Sequence, residues 1–288
     1  MLRVLVLSAF LVLSCNPKAQ DSPKSGEEVT VEFSLPKKLK EVSGIALSKD
    51  KKTIWAIEDQ GNKNVIYGLD RVGNQIADVL VENAENHDWE DITADNQGNI
   101  YIGDFGNNDN DRRNLSILKV DLKDASQKST NVTQTTTFHY EGQTEFPPKK
   151  SHWLYDCEAF VEKDGYFYLF TKNRSKGFDG TFLVFQVPNK AGDFEAKLLA
   201  KLKLQGGYSD AAITSAALNS RNQVVLLTHK NVYVLSSLFD KNFEKVILKT
   251  PLNHNSQKEA VVYLDDRTVL IADEKDGKEG GNVYKFSL

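Results

Sequence analysis

Cysteine is scarce in this chain: Cys15 and Cys157 are the only two among 288 residues. Cys15 closes an N-terminal apolar segment, so Cys157 stands alone in the remainder. No internal disulfide can then brace an exported domain, and its stability must come from an apolar core. Cys157 has no His or Asn context that would make it a nucleophile, and it reads as a small buried apolar thiol. Long hydrophobic runs are missing as well. Residues 4–13 are almost wholly apolar, but a membrane-spanning helix needs about 20 such residues. The 36 basic and 40 acidic residues are interspersed and leave a formal charge of −4. Without a Lys/Arg block there is no electrostatic footprint of a nucleic-acid binder. No G-x-S-x-G, H-E-x-x-H or phosphate-cradling glycine loop occurs, so no common hydrolase, zinc-protease or nucleotide-binding signature assigns a reaction.

The N-terminus reads as an export signal. Met1-Leu2-Arg3 is a short basic start, residues 4–13 form the apolar region, and Ser14-Cys15 follows. Val12-Leu13-Ser14-Cys15 resembles the lipidation motif of bacterial lipoproteins, which implies a lipid on Cys15 as the mature first residue. Residues 16–28 carry no large apolar side chain and cannot bury a core, so they read as a flexible tether. The expected organisation is a signal peptide over 1–15, a tether over 16–28 and one domain over 29–288, held at a membrane of the bacterial cell envelope.

What the domain contains is a repeat. Glu90 and Asp104, Glu158 and Lys172, Ser215 and His229, and Glu259 and Asp273 are each fourteen positions apart. Each pair opens one strand-like run and closes the next across a polar turn rich in Asp, Asn or Gly, residues that tolerate the positive φ of hairpins. A fifth copy, with a longer turn, spans residues 43–59. A β-prone third run and a more polar fourth run follow in most units. A period of roughly 45 residues or more points to an all-β propeller. The last unit stops after three strands, and Val29-Thr30-Val31-Glu32-Phe33 is available to supply the fourth and close the ring. This predicts five four-stranded blades. A six-bladed ring stays open as the alternative because residues 123–150 are long, although they hold no second copy of the repeat.

In a propeller the repeat would place Ser43, Glu90, Glu158, Ser215 and Glu259 around one mouth of the central channel. Asp59, Asp104, Lys172, His229 and Asp273 would lie near them. Three glutamates that converge need a cation or hydrogen-bond donors. Glu90, Glu158 and Glu259 are therefore candidate ligands of a divalent cation, Ca²⁺ foremost, since oxygen-rich sites suit Ca²⁺ or Mg²⁺ better than zinc. Asp104, Arg113, Lys172, His229 and Asp273 are candidate ligand contacts. The competing reading is that acids at a fixed place in each blade accept hydrogen bonds from loop N–H groups.

The chain resembles exported bacterial propellers of the SdiA-regulated and esterase-like-phytase type. The resemblance rests on Trp89-Glu90-Asp91-Ile92, Gly103-Asp104-Phe105-Gly106-Asn107-Asn108, Tyr155-Asp156-Cys157-Glu158-Ala159 with Thr171-Lys172, and Lys258-Glu259-Ala260-Val261. It covers most of the chain after Glu41 and implies the fold rather than a reaction. Asn107 stands where the family pattern has Asp, which weakens any metal role for that loop, and phytase activity is not implied. Three function classes follow: a membrane-tethered binding or scaffold protein with a ligand or cation at the mouth; a metal-assisted hydrolase of phosphoesters or other esters; and a glycoside hydrolase using a carboxylate pair.

Overall fold

The computed structural model describes residues 29–236, 238–239 and 247–288. Cys15, the apolar segment and the tether lie outside the described residues, as do the first two residues of the expected fourth run at 245–248.

The described chain is almost entirely β. Strand β1 is Thr30–Ser34. The first meander is β2 Val42–Leu47, β3 Ile54–Glu58, β4 Val65–Leu69 and β5 Gln75–Val81. The second begins with β6 Trp89–Ala94, β7 Ile100–Asp104 and β8 Leu115–Val120. A two-residue strand, β9 Ser129–Thr130, then pairs in parallel with β5, and β10 Val132–Tyr140 closes the second meander against β8. The third is β11 Asp156–Lys163, β12 Tyr166–Lys172, β13 Thr181–Pro188 and β14 Gly192–Lys203. After one short helix, α1 Tyr208–Ala211, the fourth is β15 Ser215–Leu218, β16 Val224–Leu227, β17 Asn231–Leu235 and β18 Ile247–Pro251. The last is β19 Lys258–Tyr263 and β20 Thr268–Asp273, a small ribbon of β21 Lys275–Asp276 and β22 Glu279–Gly280, and β23 Asn282–Ser287. As the sequence predicts, β1 pairs antiparallel with β23 and supplies that sheet's fourth strand.

Residue chemistry explains the layering. The inner strands are runs of Val, Ile, Leu and Phe buried on both faces, as in Ile54–Glu58 and Val224–Leu227. The outer strands alternate: along Gln75–Val81, Ala77, Val79 and Val81 are buried while Ile76, Asp78 and Leu80 are exposed. Asp164 and Gly165 turn the β11–β12 hairpin with φ of 53° and 80°, the positive pair a two-residue type I′ turn demands. Residues 123–150 hold β9, β10 and loops. Strand β10 pairs in parallel with β14, so the second and third meanders join into an eight-stranded sheet.

The core lies between meanders. Trp55 and Val79 pack with Ile92 and Ile102; Phe105 and Phe138 with Phe160 and Phe185. Phe170 and Phe182 pack with Leu226 and Tyr233; Val225 and Leu227 with Ile271 and Phe286. Leu270 and Val283 return to Ile45, Ile54 and Phe33. Each large apolar side chain so buried stabilises the fold by about 1.5–3 kcal/mol relative to exposure. The first strands touch in the cyclic order β2, β6, β11, β15, β19 and back to β2, which makes the fold a closed, β-propeller-like ring. Cys157 is fully buried at the second junction, and burial pushes its thiol well above the usual range, as befits an inert packing group.

Candidate functional site at one mouth of the channel

Four of the predicted mouth residues sit at breaks in strand register. Val42 pairs with Glu58 and Gly44 with Ile57, which leaves Ser43 unpaired. Trp89 and Asp91 pair around Glu90, Cys157 and Ala159 around Glu158, and Lys258 and Ala260 around Glu259. A bulge adds one residue and re-aims its side chain. Here the repeated bulge turns these four side chains into a cavity of about 330 Å³ at the channel mouth. Ser215 pairs in register with Leu227 and does not line the cavity.

Below the mouth the channel is cross-stitched. Ser43 Oγ donates to the Trp89 carbonyl at 2.7 Å. The buried Asp91 accepts from Ile92 N–H at 2.9 Å and Phe160 N–H at 3.2 Å, and the Ser215 hydroxyl points at it from 3.4 Å. Ser215 Oγ in turn accepts from Val261 N–H at 3.2 Å. These side chains tie neighbouring first strands together and give the cavity a floor.

One half of the mouth is charge-balanced. Glu158 receives Lys172 Nζ at 2.9 Å on one oxygen and Arg174 Nη2 at 2.7 Å on the other. Arg174 Nε reaches the fully buried Asp156 at 2.5 Å, and its Nη1 donates to Tyr208 Oη at 2.9 Å. Burial alone would raise the Glu158 carboxyl, but Lys172 and Arg174 outweigh it and hold the group below its ordinary value. Burial would lower Lys172, but Glu158 and then Glu259 outweigh it and raise the ammonium above its ordinary value. Among the described residues, Glu90, beside them, has no cation or N–H donor within hydrogen-bond distance, and the Asp88 carboxyl lies next to it against Gly106. Burial, then Glu158, Asp88 and Asp156, push Glu90 well above its ordinary value. Burial foremost also raises Asp156 to about 7 and Asp88 to about 6. Glu90, Asp156 and Glu158 can each offer an oxygen within 4.8 Å of the others.

The other half is a wall of acids. Glu41, Asp59, Glu259 and Glu274 face one another there. Asp59 is raised to about 7 by burial, then by Glu41 and Asp88; Glu274 is raised to about 8 by burial, then by Glu259, Asp59 and Glu41. Their partners are mostly neutral amides: Asn62 for Glu41 and Asp59, and Gln257 for Glu274. His229 Nε2, 3.1 Å from Glu259, is the one basic group among the described residues within ion-pair distance of this wall.

The predicted ligand contacts divide accordingly. Lys172 and His229 line the cavity. Asp104 does not: it is buried beneath it, accepting from Asp88 N–H at 3.2 Å and pairing with Arg112 at 2.9 Å and His87 Nδ1 at 2.9 Å. Asp273 is fully buried and accepts from Asn282 N–H at 2.8 Å and Tyr284 Oη at 2.7 Å. Arg113 lies away from the mouth with its guanidinium 3.8 Å over the Phe146 ring. In the first copy the longer turn shifts the register, so Glu58 rather than Asp59 takes the place opposite β2 that Asp104 and Asp273 take elsewhere. Glu58 accepts from Lys40 N–H at 2.9 Å. At this ring of positions the acids brace loops, while at the bulges they face the cavity.

Arg174, Tyr208, Asp156, Asp88 and Glu274 escape a reading of the fourteen-residue spacing. A signal for two of them is present as a second repeat, Asp88-Trp89-Glu90 and Asp156-Cys157-Glu158, a D-x-E placed at equivalent bulges. The loop between Gly103 and Arg113 is a rigid turn: Asn107 N–H donates to Asp156 at 2.7 Å, and the Asn107 side chain accepts from Arg112 N–H at 2.9 Å. A Cβ on Gly106 would collide with the carboxylates of Asp88 and Glu90, so glycine lets this loop close against that pair.

No family model and no curated protein matches the chain. Among solved structures it is similar to a gluconolactonase from Xanthomonas campestris at 10% identity, covering 90% of this chain and 89% of that one with a TM-score of 0.49. It is also similar to a protein of unknown function from Bacteroides caccae, at 15% identity, 86% and 78% coverage and a TM-score of 0.46. A virginiamycin B lyase from Staphylococcus aureus matches at 11% identity and a TM-score of 0.40; the match covers 86% of this chain but only 66% of the lyase, just under two thirds.

Proposed function

We propose that this protein is a lipid-anchored ligand-binding protein of the bacterial cell envelope, of the SdiA-regulated and esterase-like-phytase type. Its ring is read as five four-stranded blades, and its ligand site as the polar mouth cavity. The cyclic contacts of the five first strands and the β1–β23 closure support that reading. The anchor is the lipid on Cys15, with residues 16–28 as the tether.

One observation carries the ligand site. Acids on the wall formed by the first and last blades repel one another inside a cavity and are answered by amides rather than by cations. A ligand that brings positive charge relieves that repulsion. Ca²⁺ is the foremost candidate, because every donor on the wall is an oxygen apart from His229. Glu259, Asp59 and Glu274 are the acids expected to attract the ion, although the three carboxyls whose oxygens come within 4.8 Å of one another are Glu90, Asp156 and Glu158. Glu90 and Glu158, expected from sequence to share the ion, stand on the half where Lys172 and Arg174 already neutralise Glu158.

Titration calorimetry with CaCl₂ on the purified protein tests this. Binding that disappears in Glu259→Gln or Asp59→Asn supports it. No heat and no change in melting temperature with millimolar Ca²⁺, Mg²⁺ or Mn²⁺ overturns it. Membrane fractionation tests the anchor separately: Cys15→Ala should release the protein or block its processing, and an unmodified Cys15 in mass spectrometry refutes the lipid.

A further inference from the structure

The lining of the mouth cavity narrows the ligand further. Its side chains are Ser43, Asn108, Gln60, Gln257, acids, three basic groups and one phenol ring, Tyr208; among the described residues no aliphatic side chain faces it. A cavity that offers hydrogen-bond donors and acceptors on every side excludes apolar ligands. It suits a molecule with hydroxyl groups around its rim and C–H groups on its faces. Tyr208, exposed at the edge and held by Arg174 and by the Phe178 ring at 5.2 Å, offers such a C–H face a flat surface. Sugars have this chemistry.

Within the cavity, two glutamates occupy equivalent bulges of neighbouring strands and differ in their partners. Glu158 is clamped by two cations. Glu90 is 9% exposed, faces the cavity and, among the described residues, accepts from no cation or N–H. Another carboxyl, Asp88, lies beside it against Gly106, and two buried carboxyls so placed cannot both ionise freely. The oxygens of Glu90 and Glu158 come within 4.8 Å. That upper bound is shorter than the roughly 6.5–9.5 Å between the carboxyl groups of inverting glycosidases and lies on the side of the roughly 5–5.5 Å of retaining ones.

We propose that the mouth is a retaining glycoside hydrolase site in which Glu90 is the general acid and base and Glu158 is the nucleophile. In the first step a Glu158 oxygen bonds to the anomeric carbon while the bond from that carbon to the glycosidic oxygen breaks. The Glu90 proton goes to that oxygen, which departs as an alcohol. In the second step water attacks the anomeric carbon, its proton goes to the Glu90 carboxylate, and the bond to Glu158 breaks to restore the starting carboxylate. The two roles need opposite tendencies, and the surroundings supply them: Lys172 and Arg174 hold Glu158 below its ordinary value against burial, while burial beside Glu158 and Asp88 pushes Glu90 above its own. Asp88 is a positioning residue that holds Glu90. The proposal rests on the reading of the mouth as a ligand site and adds a substrate class and a reaction to it.

The experiment uses a panel of 4-methylumbelliferyl and 2,4-dinitrophenyl glycosides, with binding of the corresponding free sugars followed by calorimetry. The expected result is turnover of at least one glycoside with retention of anomeric configuration. Glu90→Gln should slow the methylumbelliferyl substrate by about 10²–10⁴-fold, the usual effect of a lost general acid. The dinitrophenyl substrate, whose leaving group departs without a proton, should keep its first step. A 2-deoxy-2-fluoro analogue of the cleaved sugar should leave a glycosyl ester on Glu158, detected by peptide mass spectrometry. Because Glu158→Gln strands two buried cations and can impair folding, the Glu90 variant and the trapped ester are the deciding measurements. Sugar binding without turnover of any panel member overturns the hydrolase and leaves the binding site standing. Neither sugar binding nor turnover, with Ca²⁺ still bound, overturns the sugar and spares the cation wall.

Discussion

The two halves of the channel mouth are made from the same side chains and behave in opposite ways. On the third blade, Glu158 and Asp156 meet Lys172 and Arg174, and the charges close on themselves. On the first and last blades, Asp59, Glu259 and Glu274 meet amides and one histidine. Acidity by itself therefore says little about what a carboxylate does. A paired acid is a fixed part of the fold, and an acid without a cation is protonated or waits for one.

The balanced half is the easier to break. Arg174→Ala removes the cation shared by Asp156 and Glu158 and leaves the buried Asp156 without its ion-pair partner, with Lys172 as the nearby positive charge. The expected loss is about 3–5 kcal/mol, the usual cost of breaking one side of a buried pair, read from urea denaturation. Arg174→Lys should recover only part of it, since one ammonium cannot span both carboxylates and Tyr208. A loss below about 1 kcal/mol would mean that solvent already screens the pair.

The acid wall should respond to cations instead. At a hundredfold excess over the dissociation constant, Ca²⁺ should stabilise the protein by about 2.7 kcal/mol. Glu259→Gln should abolish that gain, whereas Arg174→Ala should leave it in place. Equal loss of the Ca²⁺ response in both variants would join the two halves into one site.

The wall acids and Glu158 should also oppose each other in pH. Asp59 and Glu274 are raised to about 7 and about 8, so the folded state keeps protons that the unfolded chain has released. Their contribution to stability falls as pH rises from about 4 to about 8 and is constant above that. Glu158 is lowered, so its contribution is present above the ordinary carboxylate value and is lost as pH falls through the folded value. Without added metal, stability from pH 5 to 8 should decline, and Glu274→Gln or Asp59→Asn should flatten the decline. A flat profile in the unaltered protein contradicts the charge-unbalanced wall.

Arg113 marks the lower end of the scale. Its guanidinium stacks on Phe146 away from the mouth. Arg113→Ala should change stability by no more than about 0.5 kcal/mol, as surface substitutions do, and should leave Ca²⁺ binding unaltered.

Much of the ring is legible in the sequence. Strand alternation, Asp-Gly turns and the fourteen-residue spacing each reflect contacts made within one hairpin, so local sequence determined them. The need for β1 to close the last sheet followed from counting strands. The identity of the mouth residues was readable at Ser43, Glu90, Glu158 and Glu259, because one bulge recurs at one place in the repeat. What each acid does was not readable. Asp104 and Asp273 share the repeat's spacing with Lys172, yet they brace loops under the surface while Lys172 faces the cavity. Arg174 lies two residues past the end of its strand, and its reach to Asp156, Glu158 and Tyr208 depends on the path of two loops. Local sequence specifies strands because their hydrogen bonds and faces repeat every two residues. Only the closed ring decides which acids find a cation, because those distances run between blades far apart in the chain, and ionisation depends on distance and burial rather than on order in the sequence.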